Sequence, residues 1–394
     1  MSRTRKESAA QQPQKDGREK KRRSKKIWRT VIIGCCVALV IIVGFNWDTM
    51  SPVAVLQRIR AASNEQGAVT QYPLDVAAKT VAAFCDMGKS GVLVTDAGCT
   101  VLKEDKAVFY AGKAVSPSAA VGSKAALIYS DGGNYYAIYS EDGKTSEGTS
   151  PFPIKGGAVS RGGSCALLIS PTDYSTKLVV NSATGSELFS EFFSTPNITD
   201  VALSDGADRC AVIRLDTRDG SLVSVLTVYD ISQVEPLMSA ELGGLLELEM
   251  RFDSTGGLCV VCDYATVFYD SDMQQVLRTD YDGLTDFAIS AECRVGLICD
   301  SGSVTAGKTL TLLDSGGELY NIEVEHQAGG ISVFERECAY VSGGRAVLLN
   351  SEGAEYAYTD CTLDTYKTAL CDGFLALVGN NKVTCQSIKA ISGR

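Results

Sequence analysis

The sequence predicts an all-β protein, a β-propeller tethered by one N-terminal transmembrane helix. Three observations carry that prediction. A short phrase (apolar strand, glycine-bearing turn, second apolar strand) recurs eight times after residue 80, as in VALSDGADRCAVI from Val201 and AVSRGGSCALLI from Ala158. Its copies are 35 to 49 residues apart, measured between Lys124, Cys165, Cys210, Cys259, Arg294, Cys338 and Phe374. Ahead of them, residues 27–47 read IWRTVIIGCCVALVIIVGFNW, with no charged side chain between Val31 and Phe45.

Residues 1–26 form the first segment, a basic tail with no apolar periodicity, expected to be disordered. Residues 1–29 hold twelve Lys and Arg against Glu7, Asp16 and Glu19, which leaves the rest of the 394-residue chain near −19. That asymmetry predicts a cytoplasmic N-terminus and an extracytoplasmic C-terminal part. It also favours contact of the tail with anionic lipid headgroups over nucleic acid. At 1.5 Å per residue the apolar run at 27–47 reaches roughly 30 Å, the thickness of a bilayer's hydrocarbon core. Trp28 and Trp47, the two tryptophans of the chain, stand at its ends as membrane-interface markers. Bulky Phe45, Asn46 and Trp47 follow the run, so an uncleaved signal anchor fits better than a cleaved signal peptide. Ser51-Pro52 opens a short juxtamembrane helix, and a polar linker from Ala61 completes the 48–71 segment.

From 72 to 394 the texture is that of strands. Runs of β-branched and aromatic residues alternate with Asp-Gly, Gly-Gly and Ser-rich turns, with no helical period. A four-stranded unit of about 40 residues, repeated without helices, is what a propeller blade requires, because only a ring of such sheets buries both faces of each. A pair of β-sandwiches is the competing architecture, but it predicts no fixed repeat. The last copy supplies three strands, TALC, FLALVG and VTCQSI, and the stretch at Tyr72-Pro73-Leu74 is positioned to supply the fourth. The count is then eight blades, or seven if the degenerate copy at FCDMGKSGVLV is not a full blade.

The stretches YPLDVAAKTVAAFCDMGKSGVLVTDAGCTVL, KAALIYSDGGNYYAIYSEDGK and TDYSTKLVVNSATGSELF resemble the family catalogued as domain of unknown function 5711. The likeness is most specific at Leu127 to Gly133 and Asp173 to Thr176, with Ser130 where an acidic residue is expected. It implies a single-pass, N-in protein with an external propeller, and it transfers no catalytic residue.

Chemistry is sparse. The fourteen cysteines include Cys35 and Cys36 in the apolar run; the other twelve are scattered, mostly at apolar strand positions where a thiol serves as a small hydrophobe. Cys259 and Cys262 form a C-x-x-C, but residues three apart on a strand face opposite ways, which argues against zinc or redox use. His326 is the one histidine and falls in a loop sequence. The Asp-Gly pairs are turn chemistry, lacking the spaced ligands of a calcium loop. With both tryptophans outside the repeats, no aromatic platform for a quinone cofactor exists there. No catalytic residue, cofactor or metal site is therefore predicted. Asp200 in ITDVALS and Asp286 in LTDFAIS occupy equivalent places just before innermost strands and are the candidate rim ligand positions. The expected function is a non-catalytic binding or scaffold protein of the cell envelope, with a protein or cell-wall polymer as partner and no nucleic acid, whose phosphates the acidic domain would repel. The alternative is a carbohydrate-active propeller using channel carboxylates.

Overall fold

The computed structural model describes residues 67–77, 79–194, 197–300 and 307–392. The basic tail, the apolar run with Trp28 and Trp47, and the juxtamembrane helix lie outside the described residues. Among the described residues no helix is long and apolar enough to cross a membrane.

These residues form eight antiparallel sheets, the blades of a closed propeller. Blades 1 to 7 span 81–111, 117–149, 154–193, 198–243, 247–280, 284–324 and 329–360, and blade 8 begins at 365. In blades 1 to 7 the first strand is innermost and the next three step outward by hairpins. Blade 8 has three sequential strands, Thr365–Cys371, Phe374–Gly379 and Lys382–Ser387. Its fourth is Leu74–Asp75, with Leu74 opposite Val383 and Asp75 opposite Lys382. The ring therefore closes by pairing the two ends of the domain, and the degenerate copy is a complete first blade.

Two details depart from the sequence reading. Ala68–Thr70, expected as linker, adds a fifth strand to blade 1, pairing with Ala107–Ala111. Three residues carry no readable alternation, and Val69 stays exposed; the backbone ladder alone holds this strand. After Lys382–Ser387 the chain ends in a short helix, Ile388–Ser392, whose Ile391 packs between blades 7 and 8.

The blades cohere through eight separate apolar clusters, one for each neighbouring pair. The closing interface, between blades 8 and 1, buries Leu74 and Val76 with Phe84, Leu93, Phe374 and Val378. Each strand thus uses both faces, one toward each neighbouring blade, which explains the near-continuous apolar runs of the second strands. The twelve cysteines from Cys85 to Cys385 are all free thiols, eight of them buried. Cys259 packs toward blade 6 and Cys262 toward blade 4, on opposite faces of one strand.

The innermost strands share an irregularity that shapes the channel. Seven of the eight break register with their neighbour near their start, between Val81/Ala83, Ile154/Gly156, Ile198/Asp200, Glu247/Glu249, Leu284/Asp286, Gly329/Ser332 and Thr365/Lys367. Pro117–Val121 alone is regular. A bulge re-aims the side chains on either side of it, so here it sets what faces the channel mouth.

Candidate functional site: the central channel and its mouth

All eight innermost strands line one cavity of about 560 Å³ along the ring axis. That volume is within the range of small-ligand sites, roughly 300–1,000 Å³. All inner strands run the same way, so their starts, with the bulges, gather on one face, which is the mouth. The residues just after the bulges include Asp200, Glu249, Asp286 and Lys367. Two residues deeper come Cys85, Ala158, Ala202 and Ala288, all small, with Arg251 as the large exception. Small side chains around the axis leave the cavity, and Arg251 reaches into it.

Arg251 organises the deeper part. Its Nη2 donates to the Val121 carbonyl of blade 2 at 3.0 Å and pairs with Glu249 Oε1 at 3.4 Å. Burial works against its charge, but Glu249 and Asp86 beside it outweigh that and hold its pKa above the ordinary value. Asp86 is pushed up to about 6 by burial, with Arg251 and the Gly88 N–H opposing. Nearby, Ser123 Oγ donates to Asp205 Oδ1 and Oδ2 at 2.8 and 3.0 Å, joining the turns of blades 2 and 4.

Nearer the mouth, the Asp200 and Glu247 carboxyls stand against one another between blades 4 and 5. Burial, and then the charge of Asp200, push the Glu247 carboxyl well above the usual carboxylate range. Burial also raises Asp200, although the Val201 N–H and Glu247 counter it. Two adjacent carboxylates ionise together only at a cost, which favours protonation of the pair above the ordinary range. Glu247 Oε1 is buried without a protein partner.

Asp286, the other candidate, is placed differently. Its Oδ2 accepts from the Ile331 N–H of blade 7 at 3.1 Å and its Oδ1 from Phe287 N–H at 2.9 Å. It stitches two inner strands together and is not among the residues lining the cavity. Ser332 and Thr368, 2.6 Å apart, join blades 7 and 8 in the same manner. The two aspartates belong to blades 4 and 6, so they do not oppose each other across the axis. His326 lies exposed in the loop between blades 6 and 7. Among the described residues no His, Cys, Asp and Glu cluster has the arrangement of a metal site.

Glu247, Glu249, Arg251, Asp86 and Lys367 are the channel residues that sequence reasoning missed. Glu249 had a usable signal, because it stands at the same offset before its turn as Asp200 and Asp286.

The fold and the channel together define a closed eight-bladed propeller with a polar, mixed-charge axial cavity. The chain belongs to the family of unknown function DUF5711, whose model matches residues 71–388. No curated protein matches it. Among solved structures, it is similar to the C-terminal WD40 domain of Sif2, with 9% identity, 82% of this chain and 99% of that one covered, and a TM-score of 0.54. It is also similar to BamB from Moraxella catarrhalis, with 10% identity, 82% and 98% covered, and a TM-score of 0.47. At such identities the likeness to the WD40 domain speaks for the fold alone.

Proposed function

We propose that this chain is a non-catalytic, membrane-anchored scaffold that binds a partner outside the cytoplasm on the mouth face of its ring. The observation that carries this reading is the contact between Asp200 and Glu247. Glycoside cleavage needs two carboxyl groups about 5–5.5 Å apart, or about 6.5–9.5 Å, with the scissile bond between them. Two carboxyls in contact leave no such gap between them, and of the others at the cavity Glu249 and Asp86 lie beside Arg251 while Asp205 accepts from Ser123. Of the aromatics at the cavity, Phe84, Tyr129 and Phe252 are buried in blade interfaces, and Phe287 alone is half-buried, so paired stacking faces for a sugar are lacking. The apolar run at 27–47 and the basic tail before it support the anchor and its orientation.

The test uses the full chain in its own membrane. A cysteine at Leu248, on the mouth, and one at Val234, on the opposite face, are treated in intact cells with a membrane-impermeant thiol-reactive photo-crosslinker. Both positions are expected to label from outside, and only the first to yield a crosslinked partner. Absence of labelling would remove the extracytoplasmic placement. Release of reducing ends from cell-wall polymer by the purified protein, abolished by Asp200→Asn and Glu247→Gln, would establish the carbohydrate-active alternative instead.

A further inference from the structure

Around the mouth, on blades 4 and 5, four large apolar side chains stand exposed: Leu222 at 41%, Leu246 at 41%, Leu248 at 44% and Tyr264 at 56%. They occupy adjoining loops of one face. Gly244 lies against the Leu222 carbonyl, and Leu246 exchanges backbone and side-chain hydrogen bonds with Asp263, next to Tyr264. Leu248 is at once exposed and part of the cavity wall, so the patch runs continuously into the channel. Beside it blade 4 projects. Its second and third strands, Arg209–Arg218 and Ser221–Asp230, are ten residues each, against five or six in the corresponding strands of blade 5 and its inner strand. The extra length forms a hairpin arm that stands above the mouth and carries Leu222.

The electrostatics of this quadrant lean acidic. Asp219, Asp263 and Asp282 are on its loops, with Asp200, Glu247 and Glu249 in the mouth. The arginines nearby are already engaged, Arg214 with Asp216, Arg218 with Glu241, Arg251 with Glu249 and Arg278 with Asp280. An apolar patch contiguous with an acidic opening suits a partner that offers apolar side chains and positive charge together. A free amine would use the charge and leave the patch wet; a neutral glycan could donate hydroxyls to the carboxylates but would bring neither positive charge nor apolar side chains to the leucines.

We propose that the blade 4–5 quadrant of the mouth is a docking surface for an extended peptide segment of a partner protein, one that carries Lys or Arg between apolar residues. The apolar side chains lie on Leu222, Leu246, Leu248 and Tyr264. A basic side chain enters the mouth, where the half-exposed Glu249 carboxylate, paired on one side with Arg251, accepts its N–H groups. This proposal rests on the reading of the chain as a binding scaffold and adds the partner's chemistry and the place where it binds.

The probe is a random 12-residue peptide library displayed on phage, selected against the purified protein. Enriched peptides are expected to combine Lys or Arg with Leu, Phe or Tyr. Their synthetic versions should lose about tenfold or more in affinity for the Leu248→Asp/Tyr264→Asp double variant, and should weaken as salt rises from about 0.05 to about 0.5 M. Glu249→Gln should weaken the basic peptides and leave analogues without Lys or Arg unaffected. Val234→Asp, on the opposite face, should change nothing. Both mouth residues are exposed, and an unchanged melting curve will show that the double variant folds. Peptides without basic residues, or peptides that bind the double variant as well as the wild type, would overturn the docking surface while leaving a binding scaffold standing. Glycan turnover in the previous experiment would remove both.

Discussion

At the scale of single residues, the channel is held by a few polar contacts between inner strands, and one of them is sensitive to pH. Glu247 and Asp200 both have pKa values raised by folding, so the native state binds more protons than the unfolded chain above the ordinary carboxylate range. Stability from this pair is therefore full in acid and falls as pH rises from near 4.5 through the raised values. Glu249 and Arg251 on the same strand, Cys210 and Cys262 behind, and Tyr129 of blade 2 are titratable or charged groups near it. Glu247→Gln keeps a hydrogen-bonding partner for Asp200 and removes the ionisation. Melting temperatures of variant and wild type should lie close together near pH 5 and diverge, variant higher, toward pH 9. Parallel curves across that range would show that the pair does not titrate as argued.

At the scale of the strand, the register break near the start of seven inner strands explains both what could be read in the sequence and what could not. The repeat phrase, its spacing and the equivalence of Asp200 with Asp286 are properties of alternation, and alternation is written in the sequence. A bulge adds one residue and changes which neighbour is addressed. It leaves no compositional mark, so Asp200 meeting Glu247 and Asp286 capping Ile331 N–H were not separable beforehand. Glu247, which comes before the break in its strand, was invisible for that reason. The thiols were legible because a buried Cys in CALLI or CVVC needs only strand periodicity to be placed. Gly330 shows how tightly one such break is packed. It has φ +62°, and a Cβ there would lie 2.6 Å from the Tyr366 carbonyl oxygen and 2.9 Å from Lys367 Cα. Gly330→Ala adds an overpacked contact, costing roughly 1–3 kcal/mol, to the left-handed backbone strain of roughly 1–2 kcal/mol. Gly373, with φ +87° and no atom within 4 Å of where a methyl group would stand, carries the strain alone. Denaturant unfolding should therefore place Gly330→Ala below Gly373→Ala in stability; equal losses would mean that blades 7 and 8 yield freely at this point.

At the scale of the whole molecule, stability depends on the ring being closed, because each interface cluster needs a blade on both sides. Seven blades are continuous in sequence, and only the eighth depends on a distant segment. That segment is two strand residues long, yet it does more than complete a ladder. Leu74 and Val76 are buried between blades 8 and 1, each contributing about 1.5–3 kcal/mol, and the Tyr72 hydroxyl donates to the Lys103 carbonyl of blade 1 at 2.8 Å. Ala68–Thr70, by contrast, is exposed at all three positions and lies on an outer edge. Proteins beginning at residues 63, 71 and 79 separate the two contributions. The first two should be close in melting temperature and soluble yield, since only the outer strand distinguishes them. The third loses the closing strand and its buried side chains, and leaves Lys382–Ser387 as an unpaired edge, which invites strand addition between molecules. It should melt well below the others and aggregate as concentration rises. A protein starting at residue 79 that is as stable and monomeric as one starting at 63 would mean that the apolar interface between blades 8 and 1, and not the strand from the N-terminal side, holds the ring shut.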